Sequence, residues 1–238
     1  TAHDLYLLAP ELALASVAGV VVLLDLLVHQ KRVLLVVTLL GLVVPLALAI
    51  VLWGDVHGEP TGEMTGVFNT LVVDKFALYF KFLVLVIVAL LVLGSADYVA
   101  KFQRFQGEFY ALVLFSAVGM MLLAATTELI SIYISLELTA LPLAALAAFL
   151  RDGRSSEAGI KFLLLSAMSS ALLLYGMVLV YGFAGSTQLG DIARVVAQGD
   201  LPFGSYAMLV AITLMVVGFG FKMAMVPFQM WVPDVYEG

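Results

Sequence analysis

The chain has 238 residues, 63% of them hydrophobic and only 12% charged, with a mean hydropathy of +1.13. Soluble domains carry about twice that share of charge, so the composition marks an integral membrane protein. The net charge of -6 averages over two aqueous compartments and says little, whereas the lack of cysteine excludes cysteine-held iron-sulfur clusters, disulfides and thiol nucleophiles within this chain.

Hydropathy predicts an all-α integral membrane fold with seven spans, at about 7–28, 33–53, 71–94, 108–126, 128–150, 157–184 and 204–226. The histidines, His3, His29 and His57, fall at span edges or in loops, which argues against a bis-histidine haem and against a histidine metal cluster. This chain is therefore expected to carry no electrons itself. Alternate connections hold Lys31 and Arg32, Lys101 and Arg104, and Arg151 and Arg154, while the others hold acids with only Lys75 and Arg194. By the positive-inside rule the amino terminus faces outward.

In the first span, Glu11 and Asp25 each lie within about two turns of a membrane surface and read as interfacial. The third span opens with VVDKFALYFK, and Lys81 is close enough to its start to snorkel outward. The fifth carries Glu137 deep in apolar sequence. Entered at Glu128 with a rise of about 1.5 Å per residue, the helix puts Glu137 roughly 13 Å into a core about 30 Å thick. At 100° per residue, Ser131, Ser135, Thr139 and Pro142 gather on the side of Glu128, and Glu137 points almost opposite, so protein is expected around this helix. Pro142 is expected to kink or loosen it.

Lys161 lies just inside the sixth span, whose SAMSSA stretch from Ser166 to Ala171 suits close helix packing. LGDIARVVA, in the polar segment that follows, predicts a short interfacial helix. The seventh span places Gly218, Gly220 and Pro227 around Lys222, the pattern of an interrupted helix whose freed carbonyls hold water or a proton. Three unpaired charges at depth would cost roughly 8 to 10 kcal/mol, so Glu137, Lys161 and Lys222 must be paired, hydrated or neutralised. A carboxylate and an ammonium about 4 Å apart attract by about 4 kcal/mol at an effective dielectric near 20. Parting them is enough to change which group holds a proton, and a proton path is the functional reading. A fixed ion pair that only holds helices together is the structural alternative.

The closing stretch GFGFKMAMVPFQMWVPDVYEG, from Gly218 to Gly238, resembles the antiporter-like membrane subunits of respiratory complex I, the proton-pumping NADH:quinone oxidoreductase. DKFALYFK, SLELTALPLAAL and EAGIKFLLLSAMSSALLLYG are similar to the same family, most of all to its subunit N. The resemblance implies that Glu137 is the essential acid of the fifth helix, Lys161 the lysine of the sixth and Lys222 that of a discontinuous seventh. Together they would form a half-channel joined to a central hydrophilic axis, with protonation driven from the quinone-reacting end. It implies an amino-terminal fragment: residues 1–106 as peripheral helices one to three, and 107–238 as four helices of the first five-helix antiporter repeat. Gln229 departs from the family pattern, where a histidine is common.

The implied function is a redox-inactive, proton-translocating subunit of the oxidoreductase, a translocase without a redox centre of its own. No cofactor is expected in this chain, with NADH, FMN, iron-sulfur clusters and quinone elsewhere in the complex. The implied setting is a bacterial inner membrane, with lipid and other membrane subunits, including sister antiporter-like subunits, as partners and no nucleic acid. Two further readings are a subunit of a multisubunit sodium/proton antiporter and a structural membrane scaffold. A sodium site wants several oxygen ligands, and the spans offer one central carboxylate, which weighs against the first of these.

Overall fold

The computed structural model describes residues 2–28, 32–101, 105–199 and 204–237. His29, Lys31, Arg104 and Asp200 lie outside the described residues. In chain order the elements are α1 (Ala2–Leu7), α2 (Ala9–Leu27), α3 (Arg32–Gly41), α4 (Val43–Gly58), β1 (Glu63–Gly66), β2 (Leu71–Asp74), α5 (Lys75–Gly94) and α6 (Ala96–Val99). There follow α7 (Gln106–Ala125), α8 (Leu129–Ala147), α9 (Gly153–Ala184), α10 (Leu189–Gln198), α11 (Gly204–Lys222) and α12 (Trp231–Glu237). Six helical stretches among the described residues are long and apolar enough to cross a membrane, and Tyr206–Lys222 is a shorter apolar helix. The expected all-α membrane architecture is present, and the seventh span is broken as expected, ending at Lys222 and resuming at Trp231.

Proline and capping chemistry place the helix ends. Pro45 has no N–H for the Gly41 carbonyl, and α3 gives way to α4 at Leu42 within one apolar stretch. Asp74, Glu128 and Asp152 each accept a 2.7 Å hydrogen bond from the backbone N–H three residues on, and so start α5, α8 and α9. Burial pushes the Glu128 carboxyl up, but hydrogen bonds from the Ser131 N–H, the Thr187 hydroxyl, the Ile130 N–H and the Ser131 hydroxyl outweigh it and hold the group below its usual 4.5.

The chain forms two compact units, residues 1–126 with 134–143, and residues 127–133 with 144–238. In the first, α7 is the hub, 56% buried along its span, and α2 and α5 pack on it. Small residues make this possible. A Cβ on Gly119 would lie 2.5 Å from Thr139 Oγ1 and 2.6 Å from its backbone N, and Ser116 Oγ donates to the Thr139 carbonyl at 3.2 Å. The hydroxyl face of α8 predicted from its periodicity is therefore the face that meets α7.

Two expectations fail here. Leu71–Asp74 begins no span but is a strand, antiparallel to β1 with Glu63 opposite Asp74 and Gly66 opposite Leu71. The hairpin is held from outside, by Asp4 Oδ1 accepting the Val67 N–H at 2.6 Å. Lys81 does not snorkel outward: its Nζ meets Glu11 Oε1 at 2.7 Å, with the two side chains 1% and 3% exposed. They meet as an ion pair through Glu11 Oε1, while Glu11 Oε2 has no hydrogen-bond partner among the described residues. Asp25 is buried too, against Gly107 at the start of α7. All three side chains lie against neighbouring helices, a placement that hydropathy along one helix does not report.

In the second unit α9 packs chiefly on α11. A Cβ on Gly176 would lie 2.8 Å from the Ala211 carbonyl oxygen, and one on Gly218 would lie 2.5 Å from Leu173 Cβ. The loop before α10 docks on the start of α8, with Leu129 N–H donating to Thr187 C=O and Leu189 N–H to Thr127 C=O, both at 3.0 Å. The predicted short helix is α10, with Arg194 paired to Asp191 at 3.1 Å.

Two stability effects are expected. Lys81→Met strands a buried carboxylate and should cost about 3–5 kcal/mol, whereas the Glu11→Gln, Lys81→Met double variant should lose far less, as read by thermal unfolding in detergent. Glu128→Ala should cost about 1 kcal/mol near neutrality. Because the folded carboxyl titrates below 4.5, that contribution is present above this pH and fades as pH falls through the folded value, which unfolding across an acid series would show.

Candidate functional site

Each predicted site residue has a definite local setting. Glu137 stands one residue before the midpoint of α8, half-buried, within the first unit. Ile134 and Leu141, at three and four residues' remove on the same helical side, are exposed. Pro142 sits inside α8, which runs on past it to Ala147.

Lys222 is the last residue of α11, where a cation is favoured by the helix dipole. Its Nζ donates to Ser166 Oγ of α9 at 2.9 Å. One turn along α9, Ser169 Oγ donates to the Gly218 carbonyl at 3.1 Å. The serine stretch predicted to pack closely thus does so against α11, and it supplies the oxygen beside the lysine. That contact depends on Gly218, because a side chain there would push α11 off Leu173.

The carbonyls at the break are met by protein donors. Met225 N–H donates to Gly220 C=O at 2.8 Å, and Phe221 C=O accepts from Ala224 N–H at 3.0 Å and Trp231 Nε1 at 3.1 Å. Gln229, where the family pattern has histidine, is exposed between the two helical pieces.

Lys161 lies two turns into α9 and is less buried than its sequence position implied, with a side chain 43% exposed. The helix begins at Gly153, four residues before the expected edge, and Lys161 faces carboxylates on its own helix and on α12. Nζ lies 2.8 Å from Glu157 Oε1 and 3.3 Å from Asp234 Oδ2. Asp234 was not singled out from the sequence, because its role follows from the break that returns α12 to α9. Among the described residues no group of three or more His, Asp or Glu side chains converges as a metal set.

A multi-span helical chain whose seventh span breaks after a lysine is what the resemblance to antiporter-like membrane subunits implies. The NADH:quinone oxidoreductase/Mrp antiporter, TM family matches residues 126–238, the stretch that holds Glu137, Lys161 and Lys222. The NADH-quinone oxidoreductase subunit N of Dehalococcoides mccartyi is 41% identical over 99% of this chain and 48% of its own length. The subunit N of Trichlorobacter lovleyi is 38% identical, again over 99% of this chain, and over 47% of its own. Among solved structures, a chain of respiratory complex I from Thermus thermophilus with bound aureothin matches with a TM-score of 0.75 at 35% identity, over 96% of this chain and 47% of that one. A chain of the membrane-bound sulfane sulfur reductase, an archaeal respiratory membrane complex, has a TM-score of 0.79 at 22% identity, over 97% of this chain and 47% of that one, and speaks for the fold alone. The chain belongs to the antiporter-like family of NADH-quinone oxidoreductase subunit N, and it spans about half the length of the relatives it matches. It is a multi-pass membrane protein, and its relatives named here are bacterial.

Ser166→Ala removes an oxygen acceptor from an ammonium group and is expected to cost about 1.5–3 kcal/mol, while Ser166→Thr retains most of the stability, as thermal unfolding in detergent would show.

Proposed function

We propose that the chain is a redox-inactive, proton-translocating membrane subunit of an NADH:quinone oxidoreductase, with Glu137, Lys161 and Lys222 as the groups that exchange protons. In this reading each group takes up or releases its proton as charge moves toward or away from it, and a unit charge about 4 Å off is worth about 4 kcal/mol at an effective dielectric near 20, enough to decide which state the group holds. Ser166 gives Lys222 a neutral hydroxyl to hydrogen-bond at 2.9 Å, a contact that solvates the ammonium without itself neutralising it. A lysine so placed can yield its proton when a positive charge approaches and recover it when an acid does.

The observation that carries the reading is Lys222 at the broken end of α11 with its Nζ on Ser166, inside the region that matches the antiporter family. The relatives' name, NADH-quinone oxidoreductase subunit N, supports a place in such a complex, and in this reading sister membrane subunits are neighbours and the redox cofactors lie elsewhere. The placement of Arg32, Lys101, Arg151 and Arg154 in alternate connections supports an amino terminus facing outward. Because the matching family also takes in Mrp antiporters, a cation/proton antiporter without a redox partner is the second reading. Purification from native membranes separates the two: an NADH-oxidising arm that co-purifies supports the first, and its absence from an otherwise intact complex supports the second.

Glu137→Gln, in the intact complex reconstituted into proteoliposomes, is expected to lower proton pumping about tenfold or more, a loss of about 1.4 kcal/mol or more in the transfer step. Assembly should be unchanged. Undiminished pumping by a normally assembled complex would overturn the proposal.

A further inference from the structure

α12, described from Trp231 to Glu237, is tied to other parts of the second unit along its length. At its start Trp231 Nε1 donates to the Phe221 carbonyl at 3.1 Å, next in sequence to Lys222. The indole lies against Phe162 of α9 and Phe221 of α11, with ring centroids 4.8 and 5.6 Å away. Three residues on, Asp234 reaches Lys161, and at the far end Glu237 pairs with Arg154. Arg154, Glu157, Lys161, Asp234 and Glu237 line one recess of about 120 Å³, where two cations face three carboxylates.

Both proposed proton-carrying lysines of this unit are thus in contact with α12 or next to its anchor. Trp231 and Asp234 are three apart, and residues at that spacing lie on one side of a helix. A single helical turn is stiff, so one group is not displaced without the other. Glu157, by contrast, is on α9 with Lys161 and stays with it whatever α12 does. We propose that Asp234 is a positioning residue for Lys161, and that α12 is the rigid link coupling Lys161 to Lys222. When α12 moves off α9, Lys161 passes from two carboxylates to one. In the same movement Trp231 leaves the Phe221 carbonyl and opens the end of α11 beside Lys222. The inference rests on the proposed function for its consequence, but the link itself is a matter of packing.

The test is Asp234→Asn in the intact complex, read by amide hydrogen exchange over residues 231–237 and by pumping in proteoliposomes. Exchange in that segment should accelerate about two- to fivefold and pumping fall at least about twofold, the scale of one partly exposed ion pair. Asp234→Glu should restore both. Trp231→Phe keeps the ring stacking but removes the donor, and should have the same two effects in a complex that assembles. Unchanged exchange in Asp234→Asn would overturn the link whatever the pumping result. Faster exchange with full pumping, in a complex that Glu137→Gln disables, would overturn the coupling and leave the proposed function standing. Normal pumping by Glu137→Gln would sink the function instead, with the exchange result still deciding the link.

Discussion

An ammonium group among apolar helices needs an oxygen within about 3 Å, and three lysines of this chain meet that need in three ways. Lys81 has a buried carboxylate, Glu11, at 2.7 Å. Lys161 has two half-exposed carboxylates, on its own helix and on α12. Lys222 has the hydroxyl of Ser166. These partners do different work. A buried carboxylate holds its lysine by an attraction that is costly to break from one side, which suits a fixed strut between α2 and α5. Two exposed carboxylates hold weakly and can be exchanged, and a hydroxyl solvates an ammonium without neutralising it.

Those pairings depend on how closely the helices approach. In hydrocarbon there is little hydrophobic gain from pressing two apolar helices together, so contact relies on small residues and shared hydrogen bonds. Gly119 brings α7 onto the backbone of α8 at Ser135 and Thr139, within the first unit. Gly176 and Gly218 bring α9 onto α11 in the second, and Ser169 fastens the contact by donating to Gly218. The register that puts Ser166 beside Lys222 follows from these contacts. A chain with the same lysine and serine but a larger residue at position 218 would not bring them together in this way.

The break after Lys222 serves more than the lysine. An intact helix would carry the PDVYE segment straight on from α11, whereas the break lets it return as α12 against α9. Asp234 and Glu237 gain their partners by that return, and Trp231 closes the exposed carbonyl end it creates. The interruption is therefore satisfied by protein donors at Gly220 and Phe221, as a membrane interior demands of any backbone that leaves the helix.

Apolar runs of span length, glycine and proline around position 222, and hydroxyls at helical spacing on α8 were legible by themselves, because length and periodicity act locally along one chain. So was the placing of Glu137, Lys161 and Lys222 within apolar segments, and the motifs around them carried the family. The hairpin before α5 was not legible, since an apolar four-residue strand reads as the start of a span. Nor was the Glu11–Lys81 pair, the burial of Asp25 or the meeting of Lys161 with Asp234. Each depends on which side of one helix faces another 60 or more residues away, and hydropathy, which sums over all sides of a helix, does not contain that information. The amino-acid order determined the membrane class, the spans and the charges within them; only tertiary packing decided which oxygen each lysine would meet.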